Sequence, residues 1–201
     1  SKQKTVNDLK IPGIILSNQV TPTKLLTKSE IQHQGKLVLK LYFSQFNNSH
    51  GLNLDIRKQH FEYTQENLKW SPNNCWYTFD DLFRESLLNL YKGFYHEDEI
   101  LFEKALQRIG LTKNLNPQKK NELKKLFYAH FGPGDQSVVK FQVSQFSESF
   151  YELFHFFVTN KVELEKDFIF LGVYLVTLYM HLEELGDSYD VKSVFLEVFP
   201  K

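Results

Sequence analysis

The stretch from His50 to Asp81, HGLNLDIRKQHFEYTQENLKWSPNNCWYTFDD, decides how the chain is read. Two runs within it favour strands. His60–Thr64 alternates Phe61 and Tyr63, and Cys75–Phe79 is aromatic and β-branched. Between them Ser71-Pro72-Asn73-Asn74 is a cluster of turn formers, so the pattern predicts a β-hairpin. Asp55 stands on the loop that leads into the first strand, five residues before His60. Asp80 and Asp81 follow the second strand, where a helix is predicted to begin. The plain reading of these residues is structural: a loop carboxylate, then an acidic pair capping a helix.

The same order also has a chemical reading. A loop Asp, a polar residue five positions later, a hairpin and an Asp at its exit is the layout of a kinase-like catalytic lobe. There the first Asp receives the substrate proton, and an Asn and the last Asp hold metal ions. In that layout Asp55, His60 and Asp80 are the candidate catalytic residues, and Asp80 with Asp81 the candidate metal ligands. His60 stands where the Asn is needed, and imidazole suits softer metals than Mg²⁺, which takes hard oxygen ligands. The exit reads Thr78-Phe79-Asp80-Asp81, with Asp after the Phe and no Gly next. These residues are read as relics, and neither ATP nor Mg²⁺ is expected as a cofactor.

Outward from the centre, residues 1–10 are expected to be a mobile lead-in. Residues 11–79 form a mixed strand and helix part with the hairpin, and residues 80–201 a helical part of the same packed unit. Ile14-Ile15-Leu16 and Lys24–Thr27 are short strand candidates, and a helix is predicted from Gly35 to about Asn47. After the hairpin, apolar residues recur at helical spacing. Thr78 or Asp80 caps a first helix through Leu82, Leu87, Leu90, Tyr91 and Phe94. A second runs through Ile100, Leu101, Ala105, Leu106 and Ile109 to Gly110. Asn116-Pro117 opens a third, which stops at Gly132-Pro133-Gly134. Phe146–Phe157 and Phe168–Leu182 are predicted to pack together, the latter as the central helix because it is apolar nearly all round. A short helix around Val191–Val198 closes the chain, and no strand is expected within 120–185.

Composition bounds the function classes. The 201 residues carry no formal net charge, so no nucleic-acid partner is expected. Lysine is abundant but there are three arginines, so forks that read phosphate in pairs are scarce. One cysteine, Cys75, excludes an internal disulfide and fits an intracellular, cytoplasmic location. The opening decapeptide lacks the apolar core of a signal peptide. The apolar run Phe168–Met180 is shorter than the ~20 residues of a membrane span. Seven scattered histidines show no metal-binding spacing, and His155 and His181 read as core or boundary residues. The phenylalanine stripes read as core, and the same residues could line an apolar pocket for a lipid or isoprenoid tail.

Taken together, the chain resembles the later part of the UbiB/AarF-like atypical kinases, which are tied to quinone synthesis and lipid homeostasis. Three passages carry the resemblance: IPGIILSNQVTPTKLLTKSEIQHQG (11–35), LNLDIRKQHFEY (52–63), and the tail ESLLNLYKGFYHEDEILFEKALQRIGL (85–111) with VELEKDFIFLGVYLVTLYMHLEEL (162–185). It places Asp55 on the catalytic Asp and His60 on the metal-binding Asn, with Arg57, Lys58 and Gln59 in place of His-Pro-Gly. The nucleotide-binding lobe and its Lys have no counterpart here. The fold this implies is mainly α with a small β-hairpin region, a protein-kinase-like C-lobe followed by a helical bundle. The function it implies is that of a catalytically inactive, pseudokinase-like domain that acts by binding a protein partner, with peripheral lipid or isoprenoid contact. A helical interaction module without kinase ancestry is one alternative, and the C-lobe of an active phosphotransferase is another. If Asp55 is a relic, it is expected to be held by local pairing, next to Arg57 and Lys58, or by backbone N–H groups. Asp55→Asn should then cost about 1 kcal/mol.

Overall fold

The computed structural model describes residues 10–21, 25–131 and 138–201. The first strand, β1 (Ile14–Leu16), leads to helix α1 (Lys28–Ser44). Thr27 and Glu30 form a reciprocal capping box that starts α1: Glu30 N–H donates to Thr27 Oγ1, and Thr27 N–H donates to Glu30 Oε2. This cap sets the helix start seven residues ahead of Gly35, and Leu25–Thr27 is irregular chain, not strand. Lys24, residues 1–9 and the Gly132-Pro133-Gly134 stop lie outside the described residues.

After a 3₁₀ turn (Gln45–Asn47) come β2 (Leu52–Asn53), a second 3₁₀ turn (Lys58–His60), β3 (Phe61–Thr64), β4 (Asn67–Trp70) and β5 (Trp76–Tyr77). The hairpin is β3–β4, turning at Gln65-Glu66, with Phe61 opposite Trp70. β1 joins it in parallel, Ile14 opposite Leu68. The expected partner of β3, the Cys75–Phe79 run, pairs instead with the chain before Asp55: Leu52 lies opposite Tyr77 and Asn53 opposite Trp76. The reason lies in burial. Leu68 and Trp70 alternate inward along β4 and pack on the core, whereas Ser71–Cys75 is a loop that carries the chain back to β2.

Six helices follow: α2 (Asp81–Tyr95), α3 (Glu99–Arg108), α4 (Pro117–Phe131), α5 (Val143–Thr159), α6 (Lys166–Leu185) and α7 (Val191–Val198). Asp80 caps α2, Asp98 caps α3, and Asn116 Oδ1 accepts from Lys119 N–H at the start of α4. Gly110 and Gly186 take the left-handed conformation at helix ends, where a Cβ is penalised. Leu82 and Ile100, assigned to apolar stripes, are exposed because both sit in first turns that overhang solvent. A strand does lie within 120–185: β6 (Val138–Lys140) pairs antiparallel with β7 (Ser188–Asp190), Val139 opposite Tyr189. The pairing satisfies backbone that links α4 to α5 and α6 to α7.

One contiguous core runs from Ile11 to Phe199 and joins the strand region to the helices. Two close approaches fix its geometry. A Cβ on Gly93 would come within 2.6 Å of the Phe102 backbone nitrogen, so α2 and α3 meet backbone to backbone. A Cβ on Gly35 would fall 2.0 Å from the Tyr189 ring, which lies flat against α1. Helix α6 crosses the core, burying Phe168, Leu171, Leu175, Leu178 and Leu182. Among the described residues it is the one helix long and apolar enough to cross a membrane by length and composition, and more than half of it is buried inside the fold. Its polar side chains at 177 and 181 bond to the central loop, and that at 167 bonds to Tyr77 and Asp80, as described next.

Candidate functional site: the Asp55 loop

The loop after β2 is positioned from two sides. From the 3₁₀ turn after α1, the side chain of Gln45, fully buried, accepts the Asn53 N–H at its Oε1 (2.8 Å) and donates from Nε2 to the Tyr174 hydroxyl (2.7 Å). Tyr174 in turn donates to the Tyr42 carbonyl oxygen on α1. From α6, Thr177 Oγ1 donates to the Leu54 carbonyl oxygen (2.8 Å) and accepts the Ile56 N–H (3.3 Å). One turn further, His181 Nδ1 donates to the Ile56 carbonyl oxygen at 2.8 Å. Leu54 and Ile56, on either side of Asp55, are thus satisfied by side chains of one helix, which replaces the ladder an ordinary strand would supply.

Asp55 sits inside this cradle, 5% exposed. Arg57 grips it with two prongs, Nε on Oδ1 at 2.8 Å and Nη2 on Oδ2 at 2.7 Å. Oδ2 also accepts from Asn73 Nδ2 at 2.7 Å and from His60 Nε2 at 3.0 Å, and Oδ1 from the Arg57 N–H at 3.3 Å. A carboxylate can only accept, so His60 carries its proton on Nε2 here. Burial works against the charge on Asp55, but the hydrogen bonds from Arg57 and His60 outweigh it and hold the carboxyl well below the usual range. Asn53 completes the arrangement, accepting the Asp55 N–H on its Oδ1 and donating to the Asn73 carbonyl oxygen. The β2–β5 pairing is what brings Asn73 here, because it folds Ser71–Cys75 back over the loop.

Asp55 and His60 therefore come together, and Asp80 does not join them. Asp80 Oδ1 accepts the Leu82 and Phe83 N–H groups as the cap of α2, and its own N–H donates to Asp167. Asp81 is exposed and pairs with Arg84 at 3.1 Å. Thr78 Oγ1 donates to the His50 carbonyl oxygen. The residue at the hairpin exit that reaches Asp55 is Asn73, an amide. The long-range β2–β5 pairing, which local sequence does not encode, sets its place.

A second polar centre went unseen in the sequence. Asp167, 1% exposed in the first turn of α6, accepts from the Tyr77 hydroxyl at 2.5 Å and the Asp80 N–H at 2.8 Å. Burial, then the hydrogen bond to Asp167, pushes the Tyr77 phenol up to about 12. The Tyr77 ring stacks on Phe170, one turn along, with centroids 3.9 Å apart. An acid opening a helix has a sufficient local explanation in the helix dipole, so no signal short of the fold marks Asp167.

Among the described residues no group of three or more His, Cys, Asp or Glu stands together as metal ligands. The donor set around Asp55 does not fit Mg²⁺: one carboxylate with both oxygens already occupied, one imidazole and one amide, which itself donates. Nor is Asp55 free to receive a proton from a substrate, since its lone pairs are taken. What the arrangement does well is brace: the carboxylate ties the 3₁₀ turn ahead of β3 to the Ser71–Cys75 loop, and α6 holds the backbone on either side of it. No protein-family model matches the chain, and no curated protein matches it.

Proposed function

We propose that the chain is a catalytically inactive, pseudokinase-like C-lobe followed by a helical bundle, and that it acts by binding a protein partner. The observation that carries the reading is the occupancy of Asp55. A working phosphotransferase needs this carboxylate open to a hydroxyl and a second carboxylate on Mg²⁺ beside it. Here Arg57, His60 and Asn73 take the carboxylate, and Asp80 serves as a helix cap 25 residues away in sequence. The order of parts supports the kinase-like layout: a loop Asp, a hairpin, and a return strand that pairs with the chain before the Asp. By its resemblance to the UbiB/AarF-like kinases, the domain would serve quinone or lipid metabolism, in an intracellular, cytoplasmic setting with peripheral lipid or isoprenoid contact.

The test is a thermal titration with ATP and Mg²⁺. Saturation at 100 times a dissociation constant would add about 2.7 kcal/mol of stability. The melting temperature is expected to stay unchanged at millimolar nucleotide, with no phosphoryl transfer to the protein itself. A clear upward shift that Asp55→Asn removes would return the loop to catalysis.

A further inference from the structure

Helices α1, α2, α4 and α6 meet around a cavity of about 40 Å³ that the core leaves unfilled. Leu39, Leu175 and Leu178 give it carbon walls, and Tyr95, Tyr179 and His130 bring polar atoms to it. Among the described residues no Asp, Glu, Lys or Arg lines it. The phenols of Tyr42 and Tyr91, on the same cavity, close on each other, hydroxyl to hydroxyl at 2.6 Å. Tyr95 and Tyr179 do not. Tyr95 is 7% exposed and Tyr179 half-buried, and neither hydroxyl has a hydrogen-bond partner among the described residues. Burial holds both phenols protonated, pushing Tyr179 up to about 12 and Tyr95 well above its ordinary value. Tyr91 and Tyr179 lie near enough to Tyr95 to add to its rise, so these hydroxyls converge. Burial also keeps His130 neutral, pushing it down to about 4, and its Nδ1 meets Ser149 Oγ at 2.9 Å.

A buried phenol normally donates its proton, so two that do not, on one cavity, mark a place for an acceptor. We propose that the cavity binds a small uncharged carbonyl compound whose oxygen accepts from Tyr95 and Tyr179. Charge is excluded first, because an ion would lose its hydration and find no opposite charge on the walls. Size comes next. At about 10–15 Å³ per water the cavity holds roughly three, far short of the roughly 150 Å³ that admits benzene. Its occupant therefore has about four non-hydrogen atoms, and a lipid or isoprenoid chain does not enter. Water fills the space poorly. One molecule can reach both phenols, but the others face leucine and lack the roughly two to four partners that a buried water makes. One oxygen on a short carbon frame suits both parts of the wall. A carbonyl oxygen has two lone pairs and takes both phenol protons, whereas an alcohol adds a third donor to the same place. This inference does not rest on the reading of the Asp55 loop.

Titration of the whole chain with acetone, followed by NMR of tyrosine labelled at Cζ, tests it. Saturable shifts are expected at Tyr95 and Tyr179, with a dissociation constant between about 0.1 and 10 mM, the range open to so small a ligand. Tyr95→Phe and Tyr179→Phe each remove one donor and are expected to weaken acetone about fivefold to tenfold. Neither change should lower the melting temperature, since neither hydroxyl is bonded in the free chain. Isopropanol, of the same shape but with a proton on its oxygen, is expected to bind at least about threefold more weakly. Wild-type shifts that never saturate, as in a cavity that holds water only, overturn the inference. So does an acetone constant unchanged in both tyrosine variants, and isopropanol bound as tightly as acetone overturns the carbonyl assignment.

Discussion

Asn73 Nδ2 lies 2.7 Å from Asp55 Oδ2 and donates to it across 18 residues of chain. The amide comes from the loop that carries the chain back from β4 to β5, so the carboxylate is closed over from that side. With Arg57 on both oxygens and His60 on the same oxygen as Asn73, the charge of Asp55 is spent on holding the loop together.

Asp55→Asn should therefore cost more than the about 1 kcal/mol expected from local pairing alone. It loses a two-pronged Arg57 contact and sets an amide against the donor Asn73, so the cost is about 2–3 kcal/mol. Urea denaturation measures it. A midpoint equal to that of wild type would mean that the carboxylate braces nothing.

The pH dependence should carry a separate signature from His181. Burial, the largest influence, pushes this imidazole down to about 4, and Lys58 and His60 facing it act in the same direction. Its Nε2 is buried with no partner, against the Phe61 ring. The unfolded chain takes up the proton near the ordinary value of 6.5 while the native chain resists until about 4. Stability from His181 is thus fully present above 6.5 and is lost as pH falls from there to about 4, by about 3 kcal/mol in all. Asp55, whose carboxyl is held below its ordinary value of 3.8, adds a loss only below that pH. Burial likewise pushes His130 down to about 4, so in stability measured against pH His181→Asn should lose its own share of the slope between 6.5 and 4 and keep that of His130. An unchanged slope would assign it to another group.

Asp167→Ala should be among the most damaging surface-distant changes in α6. It strands the Tyr77 hydroxyl and the Asp80 N–H, at a cost of about 2–4 kcal/mol. Tyr77→Phe removes one of the two contacts and should cost less than Asp167→Ala in the same denaturation experiment. Equal stability of Asp167→Ala and wild type would remove this link between α6 and the start of α2.

Much of the helical part was legible because its signals are local. The apolar spacing of Phe146–Phe157, the Asn116-Pro117 start and the glycines at 110 and 186 depend on a few neighbouring residues. The Thr27–Glu30 capping box is equally local, but the apolar stripe begins further on, at Leu37, and marks a later start. What failed was pairing. Trp76-Tyr77 does form a strand, but its partner Leu52-Asn53 is set by long-range packing. The true second strand, Asn67–Trp70, hides its Leu68 and Trp70 alternation behind Asn67 and Lys69, residues poor in strand propensity. Asp55 and His60 are legible together because four residues of loop and 3₁₀ turn lie between them. Asn73, Thr177 and His181 reach the site through tertiary contacts of 18 to 125 residues, which no motif spacing encodes.

Gly93→Ala tests the packing that carries this frame. The added methyl meets the Phe102 backbone at 2.6 Å, and backbone cannot swing aside as a side chain can. Overpacking of this kind costs about 1–3 kcal/mol, although Ala is the better helix former in isolation. A variant that melts higher than wild type would show that α2 and α3 are not in close contact.

The most direct measurement of the central claim is the carboxyl carbon resonance of Asp55, followed by NMR as pH is lowered and as ATP with Mg²⁺ is added. The brace predicts a resonance that stays in its ionised position through the ordinary carboxylate range near 3.8 and is unmoved by nucleotide. A carboxyl that titrates at its ordinary value, or that shifts and saturates with ATP and Mg²⁺, would contradict it.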